Sequence, residues 1–482
     1  MKKIFTLFIC LSSISLMAQF SSPGNYNSYT IEDLVNISDG AVSLGGDQYY
    51  FNEDITISAT DTLYLITDNT FIEIGEGLLW TIEGVLIIDV ENMVNITNKF
   101  GEGHFLGIRF DNSSASFLRN AHFSNCGGLK LIESDILIDD CVFYQFDQEY
   151  STPALSLFHS NPKVKNSLFG ANQGPGIGSG ANGASSPQIL HCVFENNVNG
   201  NANTPQINLG PSDGLSPIII DSNTIIGQYE MAGGIALSTL AGGSINAIVT
   251  HNEVSNNRYG IAMIGSNISA EISHNIIIGN DIQNDPMLGG SGLNFYGGES
   301  NACIVSHNII KDNLWGITIQ LNAQPNLGDG SDNSPGHNQF YDNGNGGLSY
   351  ALYNNTSGDI MAMNNFWDTE ILEEAEEVIY HVVDDLSLGE VFFDPMWINP
   401  VGIEEAVQEI STSIFPNPCA QHFSIDTEKE CDVTIYNLSG QMIWSKKKVI
   451  SHQIKVNSWE KGCYLIDFKS KSSSWTEKLV IQ

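Results

Sequence analysis

The sequence predicts an all-β protein whose main part is a solenoid, because one short pattern returns ten times along the chain. In each repeat a large apolar residue, here called the anchor, stands two residues after a small or polar one. The anchors are Phe123, Phe143, Phe169, Phe194, Ile225, Val254, Ile277, Ile310, Phe340 and Phe366. Steps between anchors range from 20 to 33 residues and contain no helical spacing. Such a drifting period is typical of coils whose strands pair with the coils above and below.

Two further columns repeat with the anchors. The residue two before the anchor is asparagine in the last six repeats: Asn223, Asn252, Asn275, Asn308, Asn338 and Asn364. Identical amides stacked at the strand spacing of ~4.8 Å can hydrogen-bond along the stack and satisfy the turn backbone. Glycine followed by alternating apolar residues returns after most anchors, as at Gly234, Gly260 and Gly292. This second column predicts a corner and then a strand with one face in the core.

Together, the anchors and the two columns resemble the right-handed parallel β-helix proteins of the pectate-lyase-like superfamily. The resemblance covers the repeat region and implies the fold, a right-handed parallel β-helix. It does not imply one function, because this fold carries many.

The part of the chain before the repeats predicts export and a cap. Lys2 and Lys3, an apolar run and Leu-Met-Ala before Gln19 are typical of a secretory signal peptide at residues 1–18. Short alternating runs predict an N-terminal cap and the first irregular coils over residues 19–110, since a bare solenoid end would expose a strand edge.

The regular β-helix is then predicted over residues 111–400, with its own C-terminal cap. Near its end, apolar residues at helical spacing predict a short acidic helix, followed by a closing strand. These residues are Ile371, Leu372, Ala375, Val378, Ile379 and Val382.

A polar linker at residues 401–412 leads to a second domain at residues 413–482. Its motifs IFPNP, IYNLSGQMI and GCYL resemble the type A sorting domain of the type IX secretion system of Bacteroidetes-like bacteria. The matching residues are Pro416, Asn417, Pro418, Gly440, Gly462 and Tyr464. The resemblance implies a small β-sandwich of about seven short strands that an outer-membrane translocon recognises. It also implies a secreted or cell-surface protein that passes through the periplasm and outer membrane.

The acidity of the chain lies in the solenoid. Residues 19–400 hold 45 Asp and Glu against 8 Lys and Arg, whereas residues 401–482 hold 10 against 9. Such a field disfavours nucleic acid, anionic lipid and polyuronates and favours cations or neutral ligands. Alternatively, the charge only keeps a secreted solenoid soluble and monomeric. After the signal peptide, no apolar stretch is long enough to span a bilayer as a helix.

Two groups of residues are candidate ion ligands, although no cofactor is required. Asp329 and Asp332, with Ser331 and Asn333 beside them, offer oxygen ligands for calcium, but the same residues are ordinary turn formers. Histidines precede the asparagine column on successive turns: His251, His274, His307 and His337, with His191 in the same phase. They can share a transition metal or charge together near pH 6, or they simply stack beside the turn.

The cysteines predict no zinc site, because the chain contains no CxxC motif. Cys141 and Cys192 share a column two turns apart, which is too far for a disulfide, so they are predicted to be core thiols. Cys419, Cys431 and Cys463 leave a bridge in the second domain open.

No catalytic residue is assigned from the sequence. A polysaccharide lyase needs a placed Lys or Arg, and a glycoside hydrolase needs two carboxylates about 5–10 Å apart; neither pattern occurs. The preferred interpretation is an adhesin-like surface protein whose loops bind glycans or another cell surface. Candidate sugar-stacking residues are Tyr144, Tyr150, Tyr229, Tyr296, Trp315 and Tyr353. The competing class is a lyase or hydrolase with an unrecognised site.

Overall fold

The computed structural model describes residues 19–146, 152–298, 302–398 and 412–481. The last range has short gaps at 418, 420, 438–441, 458, 460 and 470–473. The chain divides into two compact units, Met1–Asn399 and Pro400–Gln482. The predicted signal peptide lies outside the described residues, as does the predicted linker apart from Thr412, where a strand of the second unit begins.

The first unit is a parallel β-helix, as predicted. One strand of each coil enters a first sheet of 14 strands among the described residues, and every neighbouring pair in it is parallel. Its strands are Gln19–Ser21, Asp54–Ile57, Leu79–Ile82, Gly107–Asp111, Leu129–Ile132, Leu155–Phe158, Ile177–Ser179, Pro205–Leu209, Gly233–Ser238, Ile261–Gly265, Ser291–Gly297, Trp315–Leu321, Leu352–Asn355 and Ile379–Tyr380.

The remaining strands of the coils form a bent second sheet, to which each regular coil gives two strands separated by a corner. Its described strands are Ser28–Thr30, Val42–Gly45, Gln48–Phe51, Thr62–Leu65, Phe71–Ile74, Val85–Asn98, Phe117–Ser124, Leu137–Asp139, Val142–Tyr144, Lys163–Lys165, Leu168–Gly170, Gln188–Leu190, Val193–Glu195, Ile218–Asp221, Thr224–Ile226, Ile245–Thr250, Glu253–Ser255, Ile268–Ser273, Ile276–Ile278, Ala302–Ser306, Ile309–Lys311 and Gln339–Tyr341.

A helix that the sequence analysis did not predict caps the N-terminal end. Helix α1 spans Ile31–Ile37 and begins with a capping box, in which Thr30 and Asp33 exchange hydrogen bonds between side chain and backbone. Leu34 is fully buried and belongs to the solenoid core. The helix therefore covers the open end of the first coil.

The anchors stack in the core, one above another. The rings of Phe143, Phe169 and Phe194 are nearly parallel, with centroids 4.5 and 4.9 Å apart. Each fully buried anchor contributes about 1.5–3 kcal/mol through the hydrophobic effect.

The predicted anchor of the last repeat is wrong by one residue. Trp367 is buried and stacks on Phe340 at 4.6 Å, whereas Phe366 is only half-buried and pairs with Gln339. A shift of one residue moves a strand side chain to the opposite face, and the larger indole fills the core position.

The helix in the C-terminal cap is shorter than predicted. Helix α2 spans Leu372–Glu377, and only Ala375 is buried in it. The predicted helix is wrong beyond Glu377, because Ile379–Tyr380 instead adds a parallel strand beside Leu352 and Tyr353. Two small ladders complete this end: Gly344–Asn345 with Leu348–Ser349, and Ile360–Met361 with Val391–Phe392.

The second unit is an antiparallel sheet of five described strands: Thr412–Phe415, His422–Asn437, Met442–Lys455, Gly462–Lys469 and Ser474–Ile481. A small antiparallel β domain is thus confirmed, and its described strands are fewer and longer than the seven short ones predicted. Register shifts between Asp426 and Cys431 interrupt the pairing of the two longest strands, so each serves as two shorter ones.

Candidate functional sites

The asparagine column forms a continuous ladder inside the solenoid. The Nδ2 atom of Asn275 donates to Oδ1 of Asn308 at 2.9 Å, and that oxygen also accepts the Asn275 backbone N–H at 3.0 Å. Asn223, Asn252 and Asn338 make the same contacts, and each amide also donates to a carbonyl of another coil. All are at most 2% exposed. The ladder satisfies the corner backbone.

The prediction that Asn364 is the sixth member of this ladder is wrong. Asn338 donates to Oδ1 of Asn365 at 2.9 Å, and Asn365 is fully buried. Asn364 has φ 58° and takes the turn position that His337 holds one coil earlier. The cause is the same one-residue shift that places Trp367 in the core.

A second amide ladder was missed by the sequence analysis. It runs through Asn172, Asn197, Gln206, Asn257, Asn280, Asn313 and Asn343, with amide-to-amide distances of 2.7–3.3 Å. The asparagines stand three residues after the anchors, so this column was readable in the sequence. Gln206 reaches in from a neighbouring strand at the coil where the column lacks asparagine.

The histidine column stacks on the surface, beside the first ladder. The rings of His251, His274 and His307 are stacked with centroids 5.0 and 4.7 Å apart, and His337 meets His307 edge-on at 5.1 Å. All four have φ between 54° and 61°, a left-handed conformation in which histidine is enriched. Turn geometry is therefore sufficient to explain why histidine returns here.

Burial and neighbouring imidazoles lower the pKa values of two of these histidines. For His274 the cause is burial first and then His251; for His307 it is burial and then His274 and His337. Both pKa shifts favour the neutral form of the imidazole ring. Nδ1 of His337 lies 3.3 Å from Nε2 of His307, which makes a hydrogen bond between the two rings.

A groove of about 570 Å³ lies against this column. Its floor includes Ile248, Glu271 and Ile304, which are neighbours in register on three successive strands. The Ser273 hydroxyl donates to Glu271 at 3.0 Å. His274 and His307 also line the groove, as do Asp332 and Asn333 from the loop 322–336. The groove thus brings carboxylates and imidazoles together.

Four half-buried aromatic residues gather near the C-terminal end of the solenoid, and we call them the aromatic cluster: Trp315, Tyr350, Tyr353 and Tyr380. The indole of Trp315 lies 4.7 Å from Tyr350 and 4.9 Å from Tyr353, and Tyr353 stacks on Tyr380 at 4.7 Å. Burial, followed by the neighbouring tyrosines, raises the pKa of Tyr353. The sequence analysis named Trp315 and Tyr353; the structure adds Tyr350 and Tyr380.

A cavity of about 400 Å³, here the terminal cavity, adjoins the aromatic cluster. Tyr350 and Tyr380 line it, and so do Glu377 and Asp384. The cavity therefore offers aromatic surface and carboxylate oxygens to the same bound molecule.

The other aromatic candidates do not join this cluster. Tyr144 and Tyr229 are half-buried on earlier coils, and Tyr296 is 38% exposed on the strand Ser291–Gly297. Tyr150 lies outside the described residues.

The candidate calcium ligands lie in a loop that uses one of them itself. The Asp329 carboxylate accepts the Ser331 N–H and the Asn326 amide at 2.8 Å each. Hydrogen bonding to the Ser331 side chain, then to the Ser331 backbone and to Asn326, lowers the pKa of Asp329. Asp332 is exposed and lines the groove. Within the described ranges, no group of three or more His, Cys, Asp or Glu is arranged to hold a metal ion. Calcium binding at Asp329 and Asp332 stays a prediction.

The cysteines of the solenoid that the structure describes are buried free thiols, including Cys141 and Cys192. Burial raises the pKa of both to about 12, which keeps them protonated. Cys419 and Cys431 are also unpaired; the side chain of Cys463 lies outside the described residues.

Four of the six sorting-motif residues lie in the described part of the second unit. The Asn417 side chain makes two hydrogen bonds to the last strand: it donates to Lys478 O at 2.7 Å and accepts from Val480 N at 2.9 Å. Pro416 forms the bend after the first strand, and Gly462 begins the fourth strand at φ 148°. Tyr464 is buried, with its ring 5.2 Å from Trp459. Pro418 and Gly440 lie outside the described residues.

Three family descriptions match parts of the chain. "Secretion system C-terminal sorting domain" matches residues 413–482, "Right handed beta helix region" residues 55–206, and "Protein of unknown function (DUF1565)" residues 218–371. No curated protein matches.

Two solved structures are similar to the chain, each over 77% of this chain and 81% of its own. One is a double mutant of the periplasmic alginate epimerase AlgG, at 11% identity and TM-score 0.37, and the other is the same epimerase, at 12% and 0.30. Likeness at this level does not bear on activity.

Fold and matches together define the class: the chain is a right-handed parallel β-helix protein. Its C-terminal domain is a type IX secretion sorting domain, which directs it out of the cell or to the cell surface. The two described helices, of 7 and 6 residues, fall far short of what a membrane-crossing helix needs.

Proposed function

We propose that this exported β-helix protein binds carbohydrate at or beyond the cell surface, through the aromatic cluster and the terminal cavity. One observation carries the proposal: Trp315, Tyr350, Tyr353 and Tyr380 come from three successive coils, yet they meet beside a cavity and stay half-exposed. The exposed parts of these four aromatic rings still contact water. A sugar ring that stacks on them would bury this apolar surface, which favours binding.

The charge of the solenoid narrows the glycan class. With 45 acidic against 8 basic residues at 19–400, the surface repels polyuronates and sulfated chains at physiological ionic strength. The proposed ligands are therefore glycans without net negative charge. Recognition of the sorting domain by the type IX translocon brings the site to them.

A glycan array with the secreted protein tests this proposal. We expect neutral or cationic glycans to bind, and Tyr350→Ala with Tyr380→Ala to weaken binding at least tenfold. Tyr64→Ala is the matched control. Tyr64 is also a partly exposed tyrosine (36%), but it lies on an N-terminal coil, far in the sequence from the terminal cavity. An array without binding, or equal losses in both variants, would overturn the proposal.

The groove supports a second candidate, a polysaccharide lyase or glycoside hydrolase. Glu271, His274 and His307 line one groove with Asp332, and carboxylates beside neutral imidazoles are groups that transfer protons. Reducing-sugar and unsaturated-product assays on polysaccharide mixtures test it. Product that disappears with Glu271→Gln, while the melting temperature is unchanged, would establish the enzyme; absence of product from every substrate would leave binding alone.

The sorting domain has its own test. Deleting residues 413–482 is expected to leave the solenoid in the periplasm, as fractionation would show. Normal display of the shortened protein would contradict the assignment of this domain as the export signal.

A further inference from the structure

We infer that the terminal cavity selects a protonated amine, so that its preferred ligand is an amino sugar and not a neutral sugar. The inference rests on the proposed function, because it specifies the glycan that the same site takes. Glu377 and Asp384 contribute carboxylates, Tyr350 and Tyr380 contribute rings, and none of the cavity's lining residues is Lys, Arg or His.

The two carboxylates are placed independently of each other. Glu377 is the last residue of helix α2, and Asp384 follows the strand Ile379–Tyr380. Asp384 is held in place because its Oδ2 accepts the His381 N–H at 3.1 Å. Neither residue has an ion-pair partner among the described residues, so their charge is available to a ligand.

The aromatic rings favour the same kind of ligand. The face of a tyrosine ring is negative and attracts an organic cation, most strongly where water is partly excluded. A cavity lined by tyrosine rings together with carboxylates suits an ammonium group attached to an apolar ring face, which describes a protonated amino sugar. A neutral hexose would use the rings but would leave both carboxylates without a compensating charge.

The position of the rings is maintained by the fold. The buried His381 ring lies between Glu376, 2.7 Å from its Nε2, and the Val391 N–H, which donates to Nδ1 at 2.9 Å. These two hydrogen bonds connect helix α2 to the strand Val391–Phe392. Tyr380 is the next residue before His381, so the cavity wall is anchored to the cap and does not depend on a free loop.

Three oligosaccharides with one backbone provide the test: β-1,4-linked oligomers of glucose, N-acetylglucosamine and glucosamine, of equal length. Binding to the full secreted protein is measured by calorimetry in mildly acidic buffer, in which the amine is charged. We expect glucosamine oligomers to bind at least tenfold more tightly than either neutral series. Raising the pH until the amine is neutral is expected to remove the difference.

Variants separate the cavity from the overall acidity of the protein. Glu377→Gln with Asp384→Asn is expected to abolish the preference for glucosamine while neutral oligomers still bind. Glu370→Gln with Glu373→Gln removes the same charge from exposed positions nearby that do not line the cavity, and it is expected to keep the preference. Melting temperatures of both double variants establish that they are folded; should Asp384→Asn unfold the cap, Glu377→Gln alone, at an exposed position, is used.

The outcomes distinguish the inference from the proposal beneath it. Equal binding of all three oligomers, or a preference that survives Glu377→Gln with Asp384→Asn, overturns the amine selectivity and leaves glycan binding intact. A preference lost equally in the control pair shows a general effect of charge and also overturns it. Failure of every oligomer to bind, together with an empty glycan array, overturns both.

Discussion

The asparagine ladder and the histidine column occupy neighbouring residues on the same coils, yet they differ in burial, in backbone conformation and in the partners of their side chains. Asn308 is fully buried, and its amide is engaged on both sides by Asn275 and Asn338. His307, one residue earlier, lies half-buried at a left-handed turn, and its ring faces a groove. A repeat in the sequence therefore predicts stacking, while burial decides whether the stack is a structural element or a surface.

The largest expected effect is on the ladder itself. Asn308→Ala is expected to lower the free energy of unfolding by about 1–3 kcal/mol, because it leaves buried backbone groups of the Asn275 corner without a partner. Urea unfolding followed by circular dichroism measures it. His307→Asn is the matched control, since asparagine tolerates the same left-handed turn; a control variant as unstable as Asn308→Ala would remove the distinction between ladder and surface.

The second ladder extends the comparison to a column that the sequence analysis missed. Asn313→Ala removes the oxygen that accepts Asn280 N at 2.9 Å and Asn280 Nδ2 at 3.3 Å, as well as two donated bonds to carbonyls. We expect a loss of the same order, about 1–3 kcal/mol. Stability within experimental error of the unsubstituted protein would mean that only one ladder supports the corners.

The histidine column is expected to respond to pH where the ladder does not. Folding lowers the pKa values of His274 and His307, so the unfolded chain takes up protons first as the pH falls. Their stabilising contribution is complete above the unfolded value of about 6.5 and is lost as the pH falls through the lower folded values. Partly exposed rings make this effect modest.

Melting curves from neutral to mildly acidic pH measure this loss. His274→Asn with His307→Asn is expected to flatten the dependence, while the Asp221–His251 contact of 3.2 Å remains in both proteins. A dependence that persists unchanged in the double variant would assign it to other groups.

Calcium is expected to give the smallest effect. For a site of Kd about 1 mM, calcium at about 1 mM adds only ~0.4 kcal/mol. We expect that gain over sodium of matched ionic strength, and its loss with Asp329→Asn and Asp332→Asn. Identical stability in the two salts would mean that Asp329 serves only as the turn acceptor for Ser331 and Asn326.

The sequence predicted what repeats and could not predict what closes the solenoid. Asn275 and Asn308 stand at one offset from their anchors, so their stacking was readable. In the last repeat, Met-Asn-Asn-Phe-Trp offers two candidate amides and two candidate anchors, and only the fit of Trp367 on Phe340 decides between them. A sequence period carries no such packing information.

The aromatic cluster was only half predicted for a related reason. Trp315 lies on a regular strand, but Tyr350 follows a tight hairpin and Tyr380 belongs to a strand that sequence spacing assigned to a helix. Their meeting depends on how the last coil closes over the first sheet. The same closure creates the terminal cavity, for which no motif in the chain provides a signal.

A crystal structure with a bound oligosaccharide tests most directly whether binding resides where the repeat ends or on the regular coils. The ligand is the tightest-binding oligomer from the calorimetric series. We expect a sugar ring in the terminal cavity, in contact with Tyr350 and Tyr380 and with its polar group toward Glu377 or Asp384. A sugar bound instead in the groove beside Glu271 and His274 would contradict it.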